Sequence, residues 1–456
     1  MIITREIISK LEAWKNEADR SPLIIQGARQ IGKSWTVTEF GRTHYNHIAI
    51  FNFEKQDELK GIFEKTKDVR RILGELSLYT SVPLEEETTL IFFDEIQDCK
   101  AAINSLKYFK EDAPGYHIIA AGSLLGVAVN RKTMVSGDAT RTDTFPVGKV
   151  SFLEMYPVTF REYLRMSDSL LMQQTESRLS NLEPLPDILF NKLAEQFLRY
   201  QVSGGLPKPC SDMLDNAGME KIERDLRELC LSYEYDFTKH VDAKDIPRIR
   251  EIWRSIPSQL SRENKKFIFR VVREGARARE YEAALEWLVL SGMIYRIYVC
   301  QTPRLPLKHY EDTTAFKIYT LDQAILRTMA ELPPEAVAVK GDLLKEFKGA
   351  MAENFVLGSL LAQGFKTPHY WTLSGNKAEV DFLIQDGIEI RPIEVKADVN
   401  VVGQSLKVYQ EKYSPSIRIR FSMKNLKSNG NMINIPLFLC DWLKEILESK
   451  ELESQE

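Results

Sequence analysis

Long hydrophobic runs are missing. No stretch of about 18 apolar residues occurs, which excludes a membrane-spanning helix and leaves no membrane partner to expect. Cysteine and histidine are sparse. The five cysteines (Cys99, Cys210, Cys230, Cys300 and Cys440) fall at no metal-ligand spacing, and the six histidines form no cluster. An odd, unpatterned cysteine count fits reduced thiols and a cytoplasmic location. An excess of one charge is also lacking. The net charge is −4, so the chain as a whole has no basic surplus for nucleic acid and only a local patch remains open. Met1 to Glu6 has no signal-peptide layout, and no internal repeat occurs.

What is present points to a multi-domain α/β chain. Its 456 residues are too many for one ordinary core, and 44% hydrophobic residues is a globular composition. Gly27-Ala28-Arg29-Gln30-Ile31-Gly32-Lys33-Ser34 spells G-x-x-x-x-G-K-[ST], a phosphate-binding loop. The apolar Leu23-Ile24-Ile25 enters it as a strand, and Lys33 to Phe40 leaves it as a helix. The glycines let backbone N–H groups surround phosphate oxygens, and the helix N-terminus adds partial positive charge. Lys33 is expected on the β- and γ-phosphates of ATP, and the Ser34 hydroxyl on Mg²⁺.

The run from Thr89 to Phe93 ends in Asp94-Glu95. It reads as a central parallel strand, and such sheets carry functional residues at strand carboxyl ends. Asp94 is expected to hold Mg²⁺, and Glu95 to act as the base for the attacking water. A strand ending in a solvated acidic turn would look the same. Tyr116 to Ala121 predicts a further strand; Ser123 then lies beside the γ-phosphate if that strand neighbours the one ending at Asp94.

With another strand at His47 to Phe53 and a helical stretch from Asp57 to Leu78, Pro22 to about Thr144 reads as a parallel sheet with helices. Met166 to Asp187 is polar and acidic and reads as an insertion or loop. A helix from Asn191 to Gln201 stops at Ser203-Gly204-Gly205-Leu206-Pro207. A charged helix from Met219 to Lys239 and two or three short helices between Ile246 and Arg279 follow. Helix Tyr281 to Leu290, turn Ser291-Gly292 and strand Met293 to Val299 have the order of a winged-helix module. Arg262, Lys265, Lys266, Arg270, Arg273, Arg277 and Arg279 form either a solvated helix face or a DNA-facing surface.

Near the C-terminus, Gly349 to Leu361 predicts a helix with Glu353 near its start. Ala378 to Ile384, a turn at Gly387 and Ile390 to Lys396 predict a hairpin. Alternation puts Glu379 and Asp381 on one face of its first strand, and Glu394 and Lys396 on one face of its second. If the strands pair, Asp381, Glu394 and Lys396 converge. Two carboxylates and a lysine suffice for metal-assisted phosphodiester hydrolysis. A half-exposed hairpin with charges on its wet face is the rival, and Pro392, which cannot donate to a ladder, counts against a regular strand.

GARQIGKS, LIFFDEIQ, AAGSLLG, FPVGKVSFLEMYPVTFREYL, SGGLP and AENF…EVDFLI…IEVKA occur in that order. In this combination the chain resembles a prokaryotic AAA-type P-loop ATPase family carrying a C-terminal domain of uncharacterised function, itself similar to PD-(D/E)XK nucleases. The resemblance implies an ATPase domain over 1–165, a helical and winged-helix-like region over 190–325 and a small α/β nuclease-like domain over 333–456. It gives Lys33 and Ser34 the loop roles, Asp94 and Glu95 the metal and base roles, and Ser123 the first sensor position. It gives Glu353, Asp381, Glu394 and Lys396 the nuclease positions, with Gln404 a further candidate. Trp35 departs from the Thr of many relatives, which touches packing and leaves the hydroxyl ligand in place. The implied function is ATP binding and hydrolysis coupled to a nuclease-like, DNA-binding module. The alternative is a nucleotide-dependent switch or scaffold for a protein client, with an inactive nuclease-like domain. Arg131, Arg141 and Arg161 are candidate arginine fingers.

Overall fold

The computed structural model describes residues 4–127, 146, 148–238, 241–262, 265–339, 344–373, 378–398 and 403–453. Arg131 and Arg141 lie outside them. The chain forms two compact units. One is Thr4–Tyr156 with the short segment Leu290–Met293; the other holds Pro157–Val289 and the chain from Ile294 on.

The first unit runs α1 (Ile7–Lys15), β1 (Leu23–Gln26), α2 (Lys33–His44), β2 (His47–Asn52), α3 (Glu58–Lys65), α4 (Val69–Leu76), β3 (Thr89–Asp94), α5 (Lys100–Asp112), β4 (His117–Ala121) and β5 (Ser151–Glu154). Its strands lie in the order β2-β3-β4-β1-β5, and every pairing is parallel. Every residue of β3 is buried, as a central strand covered on both faces requires. Phe93 packs against Phe51, Phe53, Phe63 and Phe109 with ring centroids 5.6 to 6.1 Å apart. Parallel register sets Asn52 beside Asp94 and Ile25 beside Ala121, so the carboxyl ends of β1 to β4 line one edge. The single helical stretch expected over 57–78 is two helices. Asp68 breaks it by capping α4, accepting from the N–H groups of Arg70 and Arg71 at 2.9 and 3.2 Å.

The second unit starts with α6 (Phe160–Ser167), α7 (Ser169–Leu179), α8 (Asp187–Ser203), α9 (Pro207–Leu214), α10 (Met219–Asp236), α11 (Ile246–Leu260), α12 (Phe269–Val272) and α13 (Ala278–Leu290). β6 (Ile294–Cys300), β7 (Glu311–Thr320), α14 (Gln323–Met329), α15 (Lys345–Ala362), β8 (His369–Thr372), β9 (Glu379–Asp386) and β10 (Glu389–Val395) follow. The chain closes with α16 (Ser405–Tyr413), β11 (Arg418–Ser422), β12 (Lys427–Asn429), β13 (Met432–Pro436) and α17 (Leu443–Glu453). Its eight strands form one mixed sheet, β12-β13-β11-β10-β9-β8-β6-β7.

Two expectations need correction. The expected loop at 166–187 contains α7. Asp168 caps it through the Leu171 N–H at 2.9 Å, and Leu171, Met172, Thr175 and Leu179 are buried along one side. Four inward residues among polar ones were enough to fix a helix. α15 begins at Lys345, so Glu353 lies at mid-helix rather than near its start. One sheet draws strands from both sides of the stretch between 325 and 333: β6 pairs antiparallel with β7 and parallel with β8. The helix-turn-strand order of α13 and β6 is as read, and β6, with Ile294, Ile297, Val299 and Cys300 buried, joins the C-terminal strands where Val299 lies beside Tyr370 of β8. Among the described residues, no helix is long and apolar enough to cross a membrane.

Candidate functional site

The phosphate loop joins β1 to α2. Gly27 has φ +145°, and a Cβ on it would fall 2.3 Å from the Met155 carbonyl oxygen; Gly32, at φ +93°, starts α2 from the left-handed region. Side chains at either position would meet backbone or strain. Gln30 is also left-handed at φ 63°. Ala28 and Ile31 are buried, and Arg29 faces Glu54 at 3.9 Å. Lys33 is buried and donates from Nζ to the carbonyl oxygens of Gly27 and Ala28 at 2.9 and 2.6 Å. Burial draws its ammonium down to about 8, against the pull of Glu95 and Asp94.

Ser34 Oγ donates to Asp94 Oδ1 at 2.8 Å, and Asn52 Nδ2 donates to Asp94 Oδ2 at 3.0 Å. Burial raises the Asp94 carboxyl, and the Ser34 hydrogen bond opposes the rise. Glu95 sits in the left-handed region at φ 50°, and its Oε2 accepts from Gln97 Nε2 at 2.6 Å. β4 lies beside β3, so Ser123, buried just past β4, meets the condition set for it. These donors fit Mg-ATP: Ser34 and Asp94 already meet at one point, and Lys33 stands inside the loop.

Three residues here escaped the sequence. Asn52 ends β2, and only the strand order puts it beside Asp94. Gln97 is 7% exposed, and its Oε1 has no partner; a Cβ on Gly122 would fall 2.0 Å from that oxygen. Its place two residues after Glu95 was the available signal. Gly292, at φ +72°, lies against the loop, where a Cβ would come 3.1 Å from the Ala28 nitrogen; no local pattern marks it. Of the candidate fingers, Arg161 is committed within the second unit to Glu176 at 2.7 Å, Glu445 at 2.6 Å and the Trp442 ring.

The second constellation lies on the eight-stranded sheet. β9 and β10 pair antiparallel with Phe382 opposite Ile393, as the expected hairpin requires, and Pro392 stands within the ladder opposite Leu383. Asp381 Oδ2 accepts from the Val395 N–H at 2.8 Å. Glu394, 2% exposed, accepts from Arg420 Nε at 2.8 Å and has Lys396 Nζ at 3.5 Å. Glu353, on α15, accepts from the Tyr319 hydroxyl at 2.9 Å and pairs with Lys265. Lys317, on β7, pairs with Glu379. Burial opposes the charge on Lys317, but Glu379, Glu353 and Asp381 outweigh it and hold the ammonium above its ordinary value. Burial also works against the Glu353 charge, yet Lys265 and Lys317 keep that carboxyl below the usual range. Burial, then Glu353, push the Asp381 carboxyl up to about 7. Gln404 sits at the N-cap of α16 and makes no side-chain cap.

The expected metal ligands each hold partners of their own: Glu353 has Lys265 and Tyr319, Asp381 has the Val395 N–H, and Glu394 has Arg420 and Lys396. No group of three His, Cys, Asp or Glu side chains able to hold a metal occurs among the described residues. The sequence displayed the carboxylates, while Lys265, Lys317 and Arg420 reach them from elsewhere in the chain. Lys265 was expected in a basic outward run and instead turns inward.

Residues 19–164 match a family described as an AAA domain. Residues 194–336 and 348–438 match two families described as domains of unknown function, DUF8612 and DUF4143. No curated protein matches the chain. Similar solved structures include the Walker-type ATPase PABY2304 of Pyrococcus abyssi, 14% identical with a TM-score of 0.45, covering 72% of this chain and 96% of that one. They also include the Aeropyrum pernix ORC1 protein in complex with DNA, 13% identical with a TM-score of 0.27, covering 74% of this chain and 93% of that one. The family match and the loop geometry agree that residues 19–164 form an AAA-type P-loop ATPase domain.

Proposed function

We propose that the chain binds Mg-ATP, hydrolyses it and couples its nucleotide state to the module built on the eight-stranded sheet. The observation that carries this reading is the 2.8 Å contact of Ser34 with Asp94, a hydroxyl from the loop and a carboxylate from β3 that one divalent ion would share. Mg²⁺, when bound, neutralises charge on the phosphates. Lys33 exchanges the carbonyls of Gly27 and Ala28 for phosphate oxygens, forming charge-assisted bonds in a partly dry site. Asn52 fixes the second oxygen of Asp94. Glu95 takes the proton of the attacking water, Gln97 holds its carboxylate, and Ser123 reads the γ-phosphate from the end of β4.

For the module, the resemblance to PD-(D/E)XK nucleases and the winged-helix order favour DNA as its ligand. The internal cations on Glu353 and Glu394 favour the second reading, a nucleotide-dependent switch that engages a protein client. The test is calorimetric titration with Mg-ATP and single-turnover hydrolysis, with and without duplex DNA. Lys33→Ala should weaken binding at least ~10-fold. Glu95→Gln should bind normally and hydrolyse ~10²–10⁴-fold more slowly. Equal ATP affinity of wild type and Lys33→Ala would sink the nucleotide reading. A rate indifferent to DNA would leave the protein client as the ligand class.

A further inference from the structure

We infer that the buried ε-ammonium of Lys317 supplies the positive charge among the carboxylates Glu379, Glu353 and Asp381 that a divalent ion would otherwise supply, so that this unit carries out no metal-assisted hydrolysis. The inference concerns the second unit alone and stands or falls separately from ATP hydrolysis.

Lys317 is 0% exposed and pairs with Glu379. Glu353 and Asp381 are the other carboxylates that act on it. Tyr319, two residues along β7 and therefore on the same face, donates to Glu353 Oε2, while Lys265 takes Oε1. Both oxygens of Glu353 are thus in use. Glu394 is closed off separately. Arg420 and Lys396 flank it, and the backbone at Gly403 lies so near that a Cβ there would fall 2.3 Å from Glu394 Oε2.

A Mg²⁺ ion in a hydrolytic site keeps several waters, takes oxygens from the substrate and makes a bound water more acidic. An ammonium has no open coordination position and can do none of these. A fully buried one is also out of reach of a phosphodiester. Adding a dication beside Lys317 and Lys265 would set like charges together in a place of low polarisability, where unpaired charge is most costly.

The test counts Mn²⁺ bound to the full chain by electron paramagnetic resonance, in an Asp94→Asn background that removes the nucleotide-side carboxylate. The expected count is the same with and without Asp381→Asn. Lys317→Met keeps the stem and removes the charge, leaving Glu379 and Asp381 uncompensated beside a Glu353 that still pairs with Lys265. It should gain one Mn²⁺ per chain, lost again when Asp381→Asn is added. An ion, or Mn²⁺-dependent cleavage of duplex DNA, that Asp381→Asn removes from the otherwise unaltered cluster overturns the inference. So does a Lys317→Met protein with native circular dichroism that gains no ion. If Lys317→Met does not fold, the Asp381→Asn comparison decides alone: an equal count upholds the inference, and a lower one overturns it.

Discussion

Gln97 shows how much of the proposed nucleotide chemistry turns on one side chain. A carboxylate only accepts, so Glu95 fixes which end of the amide it receives, and Gln97 Oε1 is left pointing elsewhere without a partner. On the proposed mechanism, releasing Glu95 would let it wander from the attacking water, and small displacements of that kind cost up to ~10²-fold in rate. Gln97→Ala should therefore lower kcat roughly 10- to 100-fold with ATP affinity unchanged. Single-turnover rates beside fluorescent-nucleotide titration will check this; an unchanged rate would mean that Glu95 is held by other means. The loop residues, Asp94 and Glu95 were legible because each belongs to a short contiguous motif whose geometry is local. Asn52 was not, because its meeting with Asp94 depends on the pairing of β2 with β3. Lys317 was not, because only the fold reveals that its stem runs inward.

Strands and the long helices could be read from apolar runs and periodicity. α7 could not, since four buried residues among polar neighbours give little amplitude. The turn between α13 and β6 is the element with the most to say about the loop. Gly292 combines φ +72° with a close approach to Ala28, whereas Gly275 has φ +77° and nothing within 4 Å. Alanine at either position bears similar backbone strain, about 1–3 kcal/mol. Only at 292 does the added carbon also press on the phosphate loop. Gly292→Ala should weaken Mg-ATP binding roughly 5- to 30-fold, the equivalent of ~1–2 kcal/mol, while Gly275→Ala leaves it unchanged. Titration of both variants will check the pair. Equal effects would assign the loss to general destabilisation, not to contact with the loop.

For the whole molecule, the sequence motifs suggested three successive domains, and the backbone forms two compact units with one sheet spanning the expected second break. Motifs mark where chemistry sits, but strand neighbours decide where a unit can be cut. A fragment beginning at 333 would lose β6 and β7 and leave the edge of β8 unpaired, an invitation to self-association. By gel filtration with light scattering, it should associate more than a fragment beginning at 157. The same cut would remove Lys265, Lys317 and Tyr319 and leave Glu353, Glu379 and Asp381 without their internal counter-charges. Such a truncated protein would acquire an appetite for divalent ions by amputation. Any metal affinity found in it would then describe the severed piece, while the intact chain has already supplied its own cation.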